Sequence, residues 1–430
     1  MKMFGAMKNE NNELWIGGMS VTEIVNQHNT PLYVMDEELV RTNCRDFYSD
    51  FNCEATGNRV VFAGKSCMTM AMCNIAKEEG LCLDVVSGGE LYTAYKSGYP
   101  MEKIYFHGNN KTPEEIRMGI EYGVGIFIVD NYNELNNVSR IATQLGKIQK
   151  IYLRITPGIE AHTHDYIKTG ELDSKFGFPI IGDSIITLVN DTLTLSGIDL
   201  IGVHAHIGSQ IFDIEPFEDE TEVMIELMDE IYKECGVRLE ELDLGGGFGV
   251  YYTGEDNPRT TKDYCDAIIN KAQEVCERLS YPMPILSIEP GRSIVANAGT
   301  TLYTIGAIKE IEGVRNYASV NGGMSDNIRT ALYQAEYECC IANRLEGETQ
   351  VVTFAGKCCE SGDVLVNNAK VTKPETGDIL AVMATGAYGY SMASNYNRMP
   401  RPAMVMIKDG ESRVVVKRES FDDMIQNECI

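Results

Sequence analysis

The sequence predicts an α/β barrel of the (β/α)8, TIM-like kind together with an all-β domain, and three observations carry that prediction. Eight short apolar runs recur with helical stretches between them. Nearly every run is followed at once by polar or glycine-rich residues. After Arg292 the texture changes to short β-rich runs without long helices between them.

The eight runs lie at 59–63, 81–86, 103–106, 125–129, 150–155, 200–207, 239–244 and 284–288. Their β-branched, nearly continuous apolar character suits strands packed on both faces. Segments 112–122 and 216–235 carry apolar residues at helical spacing, with Pro113 and Pro216 suited to first turns. Strand–helix alternation implies parallel strands. The polar residues after the runs are Lys65, "SGGE", "HGNN", Asp130, "TPG", "HIGSQ", "GGGFG" and "EPGR". In a barrel they converge on the C-terminal mouth, where active sites are built. Beyond 292, runs at 300–309, 317–320, 350–354, 378–384 and 403–407 read as strands, and the stretch through residue 35 is expected to join them. The expected division is a barrel at 36–290, with 1–35 and 291–430 forming the β domain.

Composition narrows the function. At 430 residues the chain exceeds one ordinary core. A net charge of −26 argues against nucleic acid as partner, because phosphates require a basic surface, and against an anionic membrane. No run approaches the length of a membrane span, and Met1 to Gly18 lacks a leader-like apolar stretch. The 13 cysteines are odd in number and scattered through apolar runs, which fits reduced thiols in a cytoplasm. Cys339-Cys340 and Cys358-Cys359 are adjacent pairs without zinc spacing, so no metal is expected.

Several residues invite chemistry. Lys65 follows Val60–Ala63 and Gly64 at a strand end; it is either an ordinary surface lysine or an amine placed to form a Schiff base. The glycines of "LGGGFG" bare several backbone N–H groups that can wrap a phosphate, though glycine runs also make plain turns. His204 and His206 share one side of their strand by period two. Glu289 and Arg292 in "EPGR" offer a carboxylate and a forked cation. The later domain adds Arg329 and Tyr333 in "NGGMSDNIRTALY", Cys359, Glu360 and Asp363 in "KCCESGD", and Tyr388 among glycines.

In order, "AGKS", "DVVSGGEL", "HGNNK", "THDYIKTGELDSKFGF", "HAHIGSQI", "LGGGFG", "EPGR", "NGGMSDNIRTALY", "CESGD" and "GAYGYSMASNYN" resemble the motifs of the diaminopimelate decarboxylases, of the fold-type-III pyridoxal-phosphate-dependent group. The resemblance spans nearly the whole chain. It implies a barrel with a C-terminal β-sandwich-like domain, and a homodimer with shared active sites. It implies pyridoxal 5'-phosphate bound covalently to Lys65, with His206 on the ring face and Glu289 at the pyridine nitrogen. Ser209, Gly247, Gly291 and Arg292 would hold the phosphate. Arg292, Arg329 and Tyr333 would hold the distal carboxylate of the substrate, and Glu360 of the second subunit its distal ammonium. Cys359 would give the proton, and Tyr388 would touch cofactor and substrate. Two departures stand out: Phe62-Ala63-Gly64 precede the lysine where a tyrosine is frequent, and Asn321 replaces a frequent aspartate.

The implied reaction is decarboxylation of meso-2,6-diaminopimelate to L-lysine, the last step of lysine biosynthesis. These residue types suit it. An anion at the ring nitrogen keeps that nitrogen protonated. A substrate with an amino acid group at both ends needs a distal carboxylate and a distal cation, which Glu360 and Arg329 supply. Relatives of the same fold that act on ornithine, arginine or carboxynorspermidine remain the alternative. Amino acid racemisation and a non-catalytic cofactor carrier are further readings, opposed by "CESGD" and by the second domain respectively.

Overall fold

The alternating pattern resolves into a closed parallel barrel. The computed structural model describes residues 1–159 and 174–430, so most of "THDYIKTGELDSKFGF" lies outside the described residues. One unit comprises Cys44–Gly249 and Pro258–Gly291; the other comprises Met1–Asn43, Val250–Asn257 and Arg292–Ile430.

In the first unit the barrel strands are Arg59–Ala63, Cys82–Val85, Ile104–Phe106, Ile126–Val129, Gln149–Thr156, Ile198–His204, Glu241–Asp243 and Ile285–Ile288. Each pairs in parallel with the next. The last returns to the first through Ser287↔Arg59 and Ile288↔Val60, which closes the cylinder. The sixth strand stops at His204, short of the expected 207. The Ala205 N–H still reaches the Asp243 carbonyl at 2.9 Å, and then the chain turns away through Gly208 at φ +153°. His206 therefore belongs to a loop, not to the strand.

Helices begin and end where local chemistry allows. Thr112 and Glu115 form a reciprocal cap, Pro113 occupies the first turn, and Gly123 ends the helix Pro113–Tyr122 in the left-handed region. Ile116, Gly119 and Ile120 of that helix are buried, the spacing of one helical face. The helix Glu215–Cys235 likewise ends at Gly236, φ +70°.

The barrel interior is filled by Val61, Cys82, Tyr105, Ile126, Ile128 and Tyr152. At the N-terminal strand ends Arg59 grips the Glu241 carboxylate in two bonds of 2.5 and 2.9 Å and donates to the Tyr105 hydroxyl at 2.9 Å, while the Tyr152 hydroxyl donates to Glu241. Pairing offsets the desolvation of Glu241, which is nearly buried, while Arg59 stays partly exposed. A cavity of about 460 Å³ opens at this end, and its Arg59 and Glu241 are already committed to each other.

In the second unit the strand order across the large sheet is Val364–Thr372, Thr349–Ala355, Arg315–Val320, Gly299–Ile311, Leu32–Asp36, Ala403–Lys408 and Glu411–Val416. The N-terminal strand Leu32–Asp36 lies inside this sheet, antiparallel to Gly299–Ile311 and parallel to Ala403–Lys408. Its core gathers Leu14, Ile16, Val34, Leu302, Ala381 and Val405. A small antiparallel sheet of Lys8–Glu10, Glu13–Ile16 and Met19–Ser20 was not legible in the sequence, because strands of two to four residues carry almost no period. Asn321 has a structural task here. Its amide nitrogen donates to the Thr30 carbonyl and hydroxyl at 3.0 and 2.8 Å, and its oxygen accepts the Thr304 N–H at 3.0 Å. An aspartate has no such donor. Each of the thirteen cysteines is a free thiol. Among the described residues no helix is long and apolar enough to cross a membrane.

Candidate active site

At the C-terminal strand ends of the barrel a cavity of about 340 Å³ is lined by Lys65, Asp84, His107, Arg154, His206 and Glu289, with His204 also in its wall. Six barrel strands thus contribute a polar side chain at or just beyond their ends.

Lys65 lies in a short turn, Gly64–Ser66, that leaves the first strand directly. Its side chain is exposed. Gly64 has no room for a methyl group, since a Cβ there would sit 2.6 Å from the Asp84 carbonyl oxygen. Phe62 is fully buried in the strand before it. The Phe-Ala-Gly departure is therefore a matter of packing against the neighbouring strand, with Lys65 emerging at the rim.

Three loops meet beside it. The Ile211 N–H bonds the Gly247 carbonyl and the Gly249 N–H bonds the Ile211 carbonyl, both at 2.9 Å, so the segment after Ser209 runs alongside the glycine loop. Gly247 has φ +118°, and a Cβ would fall 2.6 Å from the Gly208 carbonyl oxygen, so only glycine fits. The Glu289 N–H bonds the Gly245 carbonyl at 2.7 Å. Gly291 faces the turn that bears Lys65, with Ala63 and Ser66 2.8 and 3.1 Å from where its Cβ would stand. The bared backbone of these loops is a cradle that side chains would fill, and it suits an anionic group such as a phosphate.

His206 is held by its backbone neighbour: the Gly246 N–H donates to Nδ1 at 3.2 Å. Burial, and next the Lys65 amine, keep its imidazole well below the usual range, so it is neutral at physiological pH. The Glu289 carboxylate lies between two other histidines, 2.6 Å from His107 Nε2 and 3.4 Å from His204 Nε2. Burial works to raise Glu289, but the two imidazoles outweigh it and hold the carboxyl well below its usual range. An ionised, buried carboxylate at the base of a cavity is what a protonated ring nitrogen requires, and Lys65, His206 and the glycine cradle fit the other parts of pyridoxal phosphate.

His107, His204 and Glu289 also bring three ligand atoms within 4.8 Å of one another. Two ligands of one tetrahedral ion at about 2.1 Å each stand roughly 3.4 Å apart. The 2.6 Å between His107 and Glu289 is shorter than that, so the two are in direct contact with no room for an ion bridging them.

The other unit carries a second cluster. The Arg292 guanidinium is buried, donates to the Tyr252 hydroxyl at 2.7 Å and lies 4.9 Å from the Tyr388 ring. Arg329 donates to the Tyr337 hydroxyl at 2.9 Å and sits 5.3 and 5.4 Å from the rings of Tyr333 and Tyr388. Two arginines fixed by four tyrosines make a planar, pre-oriented receptor for a carboxylate. Tyr388 is at φ +61°, a costly conformation for an aromatic residue and one that collects at functional sites.

The loop bearing Cys359 and Glu360 is built by Asp363, whose carboxylate accepts the N–H groups of Met324 at 2.6 Å and Cys358 at 2.7 Å. Cys359 donates its N–H to Asn397 Oδ1 at 2.6 Å, and the side chains of Cys359 and Glu360 are exposed.

Sequence reasoning named Lys65, His206, Ser209, Gly247, Glu289 and Gly291, which lie around one end of the barrel, and Arg292, Arg329, Tyr333 and Tyr388, which form one cluster in the other unit. It gave no role to Asp84, His107, Arg154, Tyr252 or Tyr337. A signal existed for the first three: each is an ionisable residue inside or next to an apolar run, where a strand buried on both faces has no use for one.

A family model described as "Pyridoxal-dependent decarboxylase, pyridoxal binding domain" matches residues 38–296. A diaminopimelate decarboxylase of Bacillus subtilis is 47% identical over 97% of this chain and 96% of its own length. One of Halalkalibacterium halodurans is 48% identical over 97% and 95%. Among solved structures, the diaminopimelate decarboxylase of M. jannaschii in complex with L-lysine superposes with a TM-score of 0.93 at 37% identity, covering 99% of this chain and 98% of that one.

Proposed function

The chain belongs to the diaminopimelate decarboxylases, within the pyridoxal-dependent decarboxylase family, and on that premise we propose that it removes carbon dioxide from meso-2,6-diaminopimelate to yield L-lysine. The observation that carries the reading is the meeting of Lys65, His206 and an ionised Glu289 around one cavity at the C-terminal end of the barrel.

Lys65 would hold the cofactor through its side-chain amine. The neutral His206 imidazole would cover the ring, and Glu289 would accept the ring N–H. The backbone at Gly247 and Gly291, the Ser209 hydroxyl and Arg292 would hold the phosphate. Pyridoxal phosphate, when bound, supplies a conjugated ring that takes up the electron pair left as carbon dioxide departs. Arg292, Arg329 and Tyr333 would clamp the substrate's distal carboxylate, the partner subunit's Glu360 would take its distal ammonium, and Tyr388 would pack against cofactor and substrate. Binding at the unreacting end thereby sets the angle of the scissile bond, which is how remote contacts lower a barrier. Cys359 then delivers the proton from Sγ to the α-carbon.

Cys359 and Glu360 are exposed on the single chain. That supports a homodimer in which each chain lends these two residues to the cofactor of its partner. The free thiols support a cytoplasmic setting, and the product places the reaction last in lysine biosynthesis. The direct test incubates the protein with pyridoxal phosphate and meso-diaminopimelate and measures lysine and carbon dioxide, with ornithine and arginine as controls. Release of lysine with silent controls is expected; no lysine, or turnover of ornithine instead, refutes the reading.

A further inference from the structure

Glu289 is bracketed by two imidazoles that the reaction above leaves without a task. His107 follows the strand Ile104–Phe106, His204 ends the strand Ile198–His204, and Glu289 follows the strand Ile285–Ile288. These are the third, sixth and eighth strands, so the three side chains meet across the barrel interior and not along one strand pair. His107 is 4% exposed, His204 not at all, and Glu289 8%. The two rings stand edge to face with centroids 4.9 Å apart. Each points Nε2 at a different oxygen of the same carboxylate, at 2.6 and 3.4 Å. A carboxylate offers about four lone-pair directions, so two donors leave acceptor capacity for a third.

The surroundings make the bracket necessary. Asp84 and Asp243 share the buried space, and each has one carboxyl oxygen without a hydrogen-bond partner. Burial pushes Asp84 up, and burial together with the charge of Glu289 pushes Asp243 up. Among the described residues of this space, Glu289 is the acid with an imidazole nitrogen beside each oxygen: His204 Nε2 within hydrogen-bond reach of one, and His107 Nε2 2.6 Å from the other without hydrogen-bond alignment. Burial pushes His204 down to about 3, so it meets Glu289 as a neutral donor. A protonated Glu289 would still have a carbonyl oxygen to accept an N–H, but would lack the negative charge that favours a protonated ring nitrogen.

We propose that His107 and His204 are positioning residues, which hold the Glu289 carboxylate in register for the ring nitrogen of the cofactor; this rests on the role given to Glu289 above. Neither histidine touches the reacting carbon. They act through Glu289 by fixing its rotation and by occupying its outward lone pairs, as outer partners do for a metal ligand.

The test loads the holoenzyme with pyridoxal phosphate labelled with 15N in the ring. The resonance of that nitrogen separates its protonated and unprotonated forms, and absorbance at saturation fixes cofactor content independently of turnover. In His107→Leu, which keeps bulk and removes the donor, the resonance moves toward the unprotonated form. Turnover falls about 10- to 100-fold in kcat, with little change in KM. His204→Leu moves the resonance the same way. His107→Gln, whose amide can still donate to the carboxylate, recovers the protonated signal. If the leucine variant does not fold, His107→Ser gives the same readout. A ring nitrogen as protonated in these variants as in the parent, at full cofactor content, overturns the proposal. Glu289→Gln separates the levels: if it deprotonates the ring while the histidine variants do not, the bracket alone falls. If it too leaves the ring protonated, the role of Glu289 falls and takes the proposal with it.

Discussion

Glu134→Ala is expected to weaken the barrel unit by roughly 3–5 kcal/mol, the usual cost of breaking a buried ion pair from one side. Lys111 and Glu134 are both almost fully buried. The Lys111 ammonium donates to Glu134 Oε1 at 2.7 Å and to the carbonyls of Gly108 and Ile128 at 2.9 and 2.8 Å. The second Glu134 oxygen accepts the Asp130 N–H at 3.0 Å. Truncation therefore orphans one backbone donor and leaves a cation with two neutral acceptors. The loss has a ceiling, because the amine can discharge itself. Burial already pushes Lys111 below its ordinary range, and Glu134 opposes that push. Without Glu134 the folded amine releases its proton earlier still, whereas the unfolded chain keeps it to about pH 10.4. Between those two points the unfolded state binds more protons, so stability of the variant rises with pH and its deficit narrows. Thermal unfolding at fixed cofactor concentration is the assay. A domain of this size loses about 2–4 °C per kcal/mol, so Tm falls by roughly 6–20 °C at pH 7 and by less at pH 9. A shift below about 2 °C, or a deficit that grows with pH, refutes the reasoning. The site should register it too, since this lysine anchors the "HGNNK" segment that carries His107.

Other perturbations address the reaction. Lys65→Ala abolishes the visible absorbance of the bound cofactor and its fixation by borohydride; a persisting band removes Lys65 from its role. Cys359→Ala keeps the cofactor but loses most turnover, and mixing it with Lys65→Ala chains restores part of the activity through hybrid dimers. Absence of recovery, with hybrids verified by mass, assigns each site to a single chain. Arg329→Leu removes a charged hydrogen-bonding group worth about 1.5–3 kcal/mol, so kcat/KM for meso-diaminopimelate drops roughly 10- to 100-fold while cofactor affinity stays unchanged. An equal loss of cofactor affinity would place Arg329 at the phosphate instead.

What could be read directly from the residues follows local rules. Period-two and apolar runs mark strands, and eight of them alternating with helices left few architectures open. In a parallel barrel every strand points the same way, so residues just past the strand ends gather at one mouth. Lys65, His206, Ser209, Gly247 and Glu289 were legible for that reason. The limits were equally local. Period two carries no information about where pairing stops, so it extends the strand through His206, whereas the structure ends it at His204. The two- to four-residue strands near the N-terminus went unseen, as did the work of Asp363, whose partners at Met324 and Cys358 include one nearly forty residues away.

By itself, then, the order of residues determined the alternation of elements, the end of the barrel that bears chemistry, and the side chains available there. Only the closed tertiary structure decided which of those side chains share a carboxylate and which arginines share a tyrosine. His107, His204 and Glu289 are separated by 97 and 85 residues along the chain, and their meeting depends on the curvature and closure of the whole sheet. A charge state depends on that meeting as well, because desolvation and neighbouring donors act over a few ångströms of space and are blind to distance along the sequence.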